Sequence, residues 1–530
     1  MQSFLCSKHV QPYKKLGDTK LDMSVPLPPN GAEYLESLRD GREVWIYGER
    51  VKDVTSHPAF RNSTRALARL YQSMHEKGRR ERLLVPTDTG NGGMTHAFFK
   101  VPRTKDDLRR GREAVRCWQE QVFGWMGRTP DYKAALITGI GADPAYFGPY
   151  AQNVVNWYRK AQEGVLHMAH AIVNPPVDRS RPYDEVSDVV IHVERETDAG
   201  IIISGAKVVA TGAPQTQYVF VGQAGGRATK KEYALSFIAP IAAPGTKLIC
   251  RQSYEFGAAT TGSPWDYPLS SRFDENDAIL VFDKTLIPWE NIIIYDVDRV
   301  NEHYDKIHWD GQALLQSITR MEVKMTFLAG ALSKALDITG AGQFRGVEAA
   351  LGEVVNWRNL VAGLRDGMIE AASPGFGGMM TPCHRYGKSY TAIAPQLYSR
   401  IKQICETVVA SGLIYLNSNT EDLKNPELRP YLEKYLRGSN GLGVDDRSKV
   451  MKLLWDAIGS EFGGRHELYE WNYFGSPELN NLESLAVSRE TGELDEMRAL
   501  VETCMNEYDV NGWTVDQFIN PTDVSAVSRR

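Results

Sequence analysis

The sequence predicts an α+β chain, mainly α, laid out as a helical block, a β block and a second helical block. Three observations predict it. Apolar residues recur at three- and four-residue steps from 31 to about 183, turn to short strand-like runs between about 184 and 300, and resume the helical step from about 311. Blocks in this order argue against the alternating βαβ pattern of a doubly wound sheet. A chain of 530 residues is also too long for one simple core, so several domains are expected.

Taken in order, residues 1–30 are polar, lack periodicity and end in VPLPPN, which reads as an extension or linker. Residues 31–183 form the helical N-terminal domain. Its helical stretches are AEYLESLRDG, TRALARLYQSMHEKG, DDLRRGREAVRCWQEQVFGWMG and YAQNVVNWYRKAQEGVLHMAHAIV, interrupted by the strand-like VWIYGERV turning at Gly48. Residues 184–300 form the β domain, with strands in DVVIHVERE, GIIISGAKVVA, YVFVGQ, YALSFIAPI, TKLICRQ and AILVFDKTLIPWENIII. Residues 301–514 are a helical bundle, built from stretches such as QALLQSITRMEVKMTFLAGALSKALDITG and RSKVMKLLWDAIGSEFGG. Residues 515–530 are a polar tail.

Composition excludes several functions. The net charge is -5 and no run of five like charges occurs, so no nucleic acid is gripped by bulk charge. Six scattered cysteines fit neither a disulfide framework nor a metal clip and read as free thiols in a reducing cytosol. The first thirty residues hold no apolar signal core, and no run of 18 apolar residues follows, which predicts a cytoplasmic protein without a membrane segment. GAGQFRG at Gly340 and GIGADP at Gly139 miss the dinucleotide fingerprint, and no P-loop, HExxH or paired Glu-x-x-His is present. No metal is expected. His167 and His170, three apart, are either a metal pair or partners in a polar pocket.

Three segments hold polar residues where a plain core would not want them. In RTPDY, 128–132, Pro130 leaves a rigid turn displaying a guanidinium and a phenol. Either the turn clamps a ligand oxygen or it ends a helix, with Arg128 paired to Asp131. In HMAHAIVNPPVDR, 167–179, an apolar helix end carrying His170 runs into Pro175 and Pro176, a stiff wall for a flat ring or a loop after a core histidine. In GSEFGGRHELYEWNYFGS, 459–476, Arg465, His466 and aromatics crowd a helix, and Gly463 and Gly464 permit either close ligand approach or tight helix packing.

These segments, together with GAEYLESLRDGREVWIYGERVKDVTSHPAFRN and ETDAGIIISGAKVVATG, resemble the oxygenase component of the 4-hydroxyphenylacetate 3-hydroxylase family from about 31 to about 478. The likeness extends to members that hydroxylate tyrosine-derived rings in secondary metabolism, including rings tethered to a carrier protein. The resemblance implies an acyl-CoA-dehydrogenase-like architecture: helical N-domain, β-barrel-like middle domain, C-terminal four-helix bundle, and a homotetramer. It implies an FADH2-dependent monooxygenase that hydroxylates a phenol ortho to its hydroxyl through a flavin C4a-hydroperoxide, with FAD reduced by a separate NAD(P)H:flavin reductase and O2 as co-substrate. Arg128, Tyr132 and His170 match the family's catalytic site at the substrate hydroxyl and peroxide. The flavin is expected against His170, Ala171, Ile172, Val173, Pro176, Val177, Asp178 and Arg179, against Thr211, and near Tyr473, Phe474, Gly475 and Ser476.

A departure follows Thr211. Members that bind free 4-hydroxyphenylacetate hold its carboxylate with hydroxyl residues of a β-domain loop, whereas GAPQTQYVFVGQAGGRATKKEYAL offers no clear Ser-Thr pair. The basic loop 222–233 is either an entrance loop facing an acidic carrier or a solvated turn. Two rivals share the architecture. A 4-hydroxybutyryl-CoA-dehydratase-like lyase needs clustered cysteine ligands that the sequence lacks, and an acyl-CoA-dehydrogenase-like enzyme needs a carboxylate base rather than Arg128, Tyr132 and His170.

Overall fold

The computed structural model describes residues 25–514 apart from 179, 182, 224–226, 308 and 511. Most of the expected extension, the expected tail, Arg179 and part of the 222–233 loop thus lie outside the described residues. What is described of the extension is built into the fold. The Met94 N–H donates to the Pro26 carbonyl (2.9 Å), and the Asn30 side chain caps the helix Gly31–Ser37 by accepting from the Ala32 and Glu33 N–H groups. Glu33 returns a bond to the Asn30 N–H at 2.7 Å, completing a capping box.

The middle of the molecule is two open sheets. One has six strands in the order Glu49–Val51, Glu43–Ile46, Thr246–Cys250, Asp277–Pro288, Gly200–Thr211, His192–Thr197. The other has four, in the order Ile292–Tyr295, Leu235–Pro240, Tyr218–Val221, Met168–Ala171. They meet across Phe237 and Phe282, whose rings are 5.6 Å apart.

Three features differ from the sequence expectation. The 43–51 hairpin, turned by Tyr47 and Gly48 at positive φ, joins the larger sheet through parallel pairing with Thr246–Cys250. Residues 168–171 are a strand parallel to Tyr218–Val221, not the end of a helix. The helix Ala151–Gly164 stops where Val165 turns left-handed (φ 45), and the following apolar run satisfies its backbone in the sheet. A short apolar run does not by itself distinguish helix from buried strand. The middle stretch also contains two helices, Tyr254–Thr261 and Ser270–Phe273. Glu255 in the first ties the sheets to the N-terminal helices by accepting from the Asn62 (2.7 Å) and Ser63 (3.0 Å) N–H groups at the start of the helix Arg61–Ser73.

The C-terminal bundle packs the long helix Trp309–Thr339 against Arg345–Glu370, His384–Val409 and Val444–Ile458. Its buried face carries charge. Arg320 and Lys324 both bind Glu470 of the helix Glu461–Asn472, Arg320 through two bonds of 2.6 and 2.7 Å and Lys324 at 2.9 Å. These two cations pull the Glu470 carboxyl down to about 2 against the opposing effect of burial. Among the described residues no helix is long and apolar enough to cross a membrane, and the five described cysteines are free.

Candidate functional site

The site is organised by the turn at Gly127 and Arg128, just before the helix Pro130–Ala142. Pro130 sits in the first turn, where its missing N–H is harmless. All four backbone polar groups of the two residues are held by distant side chains. Glu275 accepts from the Gly127 N–H (2.9 Å) and the Arg128 N–H (2.6 Å). The Tyr473 hydroxyl donates to the Gly127 carbonyl at 3.2 Å, and His167 Nε2 donates to the Arg128 carbonyl at 2.9 Å. Gly127 has no room for a side chain, because a Cβ would overlap the Tyr469 hydroxyl.

With its backbone fixed, the Arg128 side chain enters a tyrosine cage. Its guanidinium carbon lies 4.0 Å from the Tyr132 ring centre, 4.3 Å from Tyr473 and 5.4 Å from Tyr469. Arg128 Nε and Nη1 are sealed from solvent without a hydrogen-bond partner, as is the Tyr469 hydroxyl. No carboxylate pairs with Arg128 among the described residues. Asp131, the pairing the sequence leaves open, turns to Thr129 Oγ1 (2.5 Å) and Gln316 Nε2 (3.2 Å), and burial pushes its carboxyl up to about 7.

His170 completes the cluster, its ring 5.8 Å from that of Tyr132, which in turn meets Tyr473 edge-on at 5.8 Å. Burial, then Lys133 and Arg128, hold the His170 imidazole well below its usual range, so it is neutral. The pairing of His167 with His170 fails. Strand alternation sends the two apart, and His167 spends Nε2 on Arg128 and sets Nδ1 3.3 Å from the Tyr34 hydroxyl.

The expected flavin residues fall into three groups. Ala171 is buried in the sheet, whereas Val173 and Val177 are 43% and 51% exposed on the loop that follows. That loop is tied down by Lys207, a buried amine donating to the Ile172 carbonyl (3.2 Å) and to Asn174 Oδ1 (2.7 Å); burial lowers it to about 7. It then turns at Pro176 and at Asp178, whose φ is 46 and whose carboxylate accepts from Ser180. Thr211 donates to Asp277 (2.6 Å), which also takes Arg251 and Arg465. Arg465 is therefore a structural cation bridging the C-terminal helix to the sheet. Of the last group, Tyr473 belongs to the Arg128 cage, Phe474 is half-buried beside it, Gly475 makes a positive-φ turn (φ 92) and Ser476 caps the helix Pro477–Glu490. Gly463 is explained by packing, since a Cβ there would press on the Ala457 carbonyl at 2.8 Å.

The comparisons with known proteins decide the family. Residues 30–294 match the 4-hydroxyphenylacetate 3-hydroxylase N-terminal model and residues 303–502 the C-terminal model. The chain belongs to the 4-hydroxyphenylacetate 3-hydroxylase family. It is 52% identical to a 4-hydroxyphenylacetate 3-monooxygenase oxygenase component of Pseudomonas aeruginosa, over 96% of this chain and 98% of that one. It is 50% identical to a 4-nitrophenol 2-monooxygenase oxygenase component of a Rhodococcus species, over 94% and 96%. It is 51% identical to a (3S)-3-amino-3-(3-chloro-4-hydroxyphenyl)propanoyl-[peptidyl-carrier protein] monooxygenase of Streptomyces globisporus, over 92% of each chain. The FAD complex of a 4-hydroxyphenylacetate 3-monooxygenase oxygenase component superposes with a TM-score of 0.84 at 33% identity, covering 90% of this chain and 99% of that one. An archaeal 4-hydroxybutyryl-CoA dehydratase, TM-score 0.80 at 17% identity, shares the fold. Within the 4-hydroxyphenylacetate 3-hydroxylase family this chain is the oxygenase component of a two-component aromatic monooxygenase.

Sequence reasoning about this oxygenase missed Glu275, Tyr469, Lys133 and Lys207. Glu275 stands 147 residues from Arg128, and no local pattern links them. Lys133 left a signal: it is the one charged residue after Asp131 in a helix apolar all round, PDYKAALITGIGA.

Proposed function

We propose that this oxygenase places one hydroxyl ortho to the hydroxyl of a 4-hydroxyphenyl substrate, with reduced FAD from a separate NAD(P)H:flavin reductase and O2. The observation that supports this most directly is Arg128, a partly buried guanidinium whose Nε and Nη1 are sealed without a hydrogen-bond partner and with which no carboxylate forms an ion pair among the described residues. A buried unpaired cation is costly, and a phenolate oxygen is the ligand that neutralises it. Arg128 then does two things at once. It lowers the pKa of the bound phenol, and it keeps the electron-rich phenolate ring oriented toward the oxidant. Tyr132 shares the phenol oxygen, and His170, held neutral, hydrogen-bonds on the side toward the flavin.

The residues present fit a flavin. Val173 and Val177 on the loop after the strand Met168–Ala171, and Val209 on the strand Gly200–Thr211, the last 57% exposed at positive φ, offer apolar surface for it. Ile172, Pro176, Asp178 and Thr211 complete the proposed flavin-binding set. The ring system would be held by this surface together with Tyr473 to Ser476. When bound, reduced FAD with O2 supplies the electrophilic oxygen. The chain's part is to exclude water and aim the ring.

The substrate is a free 4-hydroxyphenylacetate-like acid or a tyrosine-derived phenol on a carrier protein; relatives acting on each kind are 52% and 51% identical. Of the 222–233 loop, Ala228 is clamped through both its N–H and carbonyl by Asn301 (2.8 and 2.9 Å), and Lys231 pairs with Glu196. A cytoplasmic homotetramer is part of the proposal, supported by exposed apolar side chains such as Leu482, Met497 and Leu500 on the C-terminal helices. The test is catechol formation from a panel of free and carrier-tethered 4-hydroxyphenyl compounds, with a flavin reductase, NADH and FAD. Catechol from one class names the substrate. No catechol from any, with FAD instead bound tightly in oxidised form, overturns the reading.

A further inference from the structure

Four lysines are buried in the described structure, and three have acceptors. Lys207 binds the Ile172 carbonyl and Asn174, Lys324 binds Glu470, and Lys452 binds the Ser418 carbonyl and Asp266. Lys133 is the exception. Only 3% exposed, it has neither a hydrogen-bond acceptor nor an ion-pair partner among the described residues. Its Nζ lies 4.4 Å from the centre of the Tyr132 ring and 5.2 Å from that of Trp309. Arg128 covers the same Tyr132 ring at 4.0 Å. A guanidinium and an amine thus converge on one tyrosine with no carboxylate between them among the described residues.

We propose that Lys133 is a fourth catalytic residue of this site, the amine that takes up the phenol's proton as the substrate binds. The proposal rests on the phenol-site reading above. In the resting chain two buried unpaired charges are not tolerated together, and a guanidinium does not give up its proton. Lys133 does: burial and the repulsion of Arg128 hold it well below 10.5. No carboxylate offsets this among the described residues. Own-turn neighbours are Arg128 and Tyr132, the strand supplies His170, the long bundle helix supplies Trp309, and the C-terminal helix supplies Tyr469 and Tyr473 around Arg128. Asp131 faces Thr129 and Gln316, and Glu275 is spent on backbone N–H groups.

His170 is the other neutral base in reach, but an imidazole starts about four pK units below an amine, so the amine is the stronger proton acceptor. When a phenol enters, its O–H bond breaks and an N–H bond forms on Lys133. The electron pair stays on the oxygen, where Arg128 holds it. The new phenolate cancels the repulsion that kept Lys133 neutral, so the proton is retained within the site and none passes to solvent.

The experiment uses the full-length chain and 4-nitrophenol, whose anion absorbs in the visible. The probe is bound without reductant, below the pH at which the free probe ionises, in weakly buffered solution with a pH indicator. The wild type is expected to show the anion band with no proton released. Lys133→Met and Lys133→Gln, both checked for wild-type unfolding temperature, are expected to release one proton per site and to bind about tenfold more weakly per unit fall in pH. His170→Asn is expected to release no proton on binding, whatever its affinity for the probe. If both Lys133 variants bind the anion without proton release while Arg128→Met loses the anion band, the phenol site stands and the role of Lys133 is refuted. If His170→Asn is the variant that releases the proton, the role passes to His170. If the wild type binds no anion, or Arg128→Met binds it equally, the phenol-site reading itself falls and the proposal with it.

Discussion

Glu275→Gln is the sharpest test of how the site is held. The Glu275 carboxylate gives one oxygen to the Gly127 N–H (2.9 Å) and the other to the Arg128 N–H (2.6 Å), in full burial. Glutamine keeps one acceptor oxygen and turns an NH2 group toward the second N–H, donor against donor. The loss is one charge-assisted bond, about 1.5–3 kcal/mol, plus an orphaned buried N–H at about 1–3 kcal/mol. Burial already pushes the Glu275 carboxyl upward, so removing its charge returns part of that sum. A net destabilisation of about 2–4 kcal/mol follows, a large share of the 5–15 kcal/mol typical of a folded protein. Because the released turn carries Arg128, phenol affinity is expected to fall with stability. Chemical unfolding and 4-nitrophenol titration of the same variant check both. Unchanged midpoint and unchanged affinity would refute the claim that this carboxylate sets the turn.

Further outcomes follow from the same geometry. His167, pulled to about 4 chiefly by burial, has a folded pKa below its unfolded value near 6.5. Its contribution is therefore complete above about 6.5 and lost as pH falls toward 4, a change of up to about 3 kcal/mol, and His167→Gln should flatten unfolding midpoints across that window. Lys207→Met frees Ile172 and Asn174, so FAD affinity is expected to drop about tenfold, read by flavin fluorescence; an unchanged affinity would remove the loop from the flavin wall. Asp277→Ala strands Arg465, while Arg251 keeps Asp274 at 2.8 Å, with an expected loss of about 3 kcal/mol by chemical unfolding. Gly127→Ala drives a Cβ into Tyr469 and should depress hydroxylation far more than it lowers the unfolding temperature.

Much of this was legible in the sequence because periodicity is local. The change from helical to strand-like runs and back located the sheets and the bundle, and Pro130 marked the turn that displays Arg128 and Tyr132. The strand at 168–171 was not legible, since four apolar-rich residues carry either period and only the pairing with 218–221 decides. That pairing also sets which face His170 presents. Glu275, Tyr469 and Tyr473 reach Arg128 from 147 or more residues away, and such convergence is a property of the tertiary fold. Lys133 was visible as a charge inside an apolar helix; its lack of a partner was not.

The proposed role of Arg128, caged without an ion-paired carboxylate among the described residues, is to bind the phenol as its anion and so permit hydroxylation. The most direct measurement mixes the oxygenase and reduced FAD with O2 and a 4-hydroxyphenyl compound, and counts catechol formed per reduced flavin consumed, for the wild type and for Arg128→Met. Close to one catechol per flavin is expected in the wild type, and a loss of at least about 10²-fold in catechol formation in the variant, with unfolding nearly unchanged. Wild-type yield and rate from Arg128→Met would contradict it.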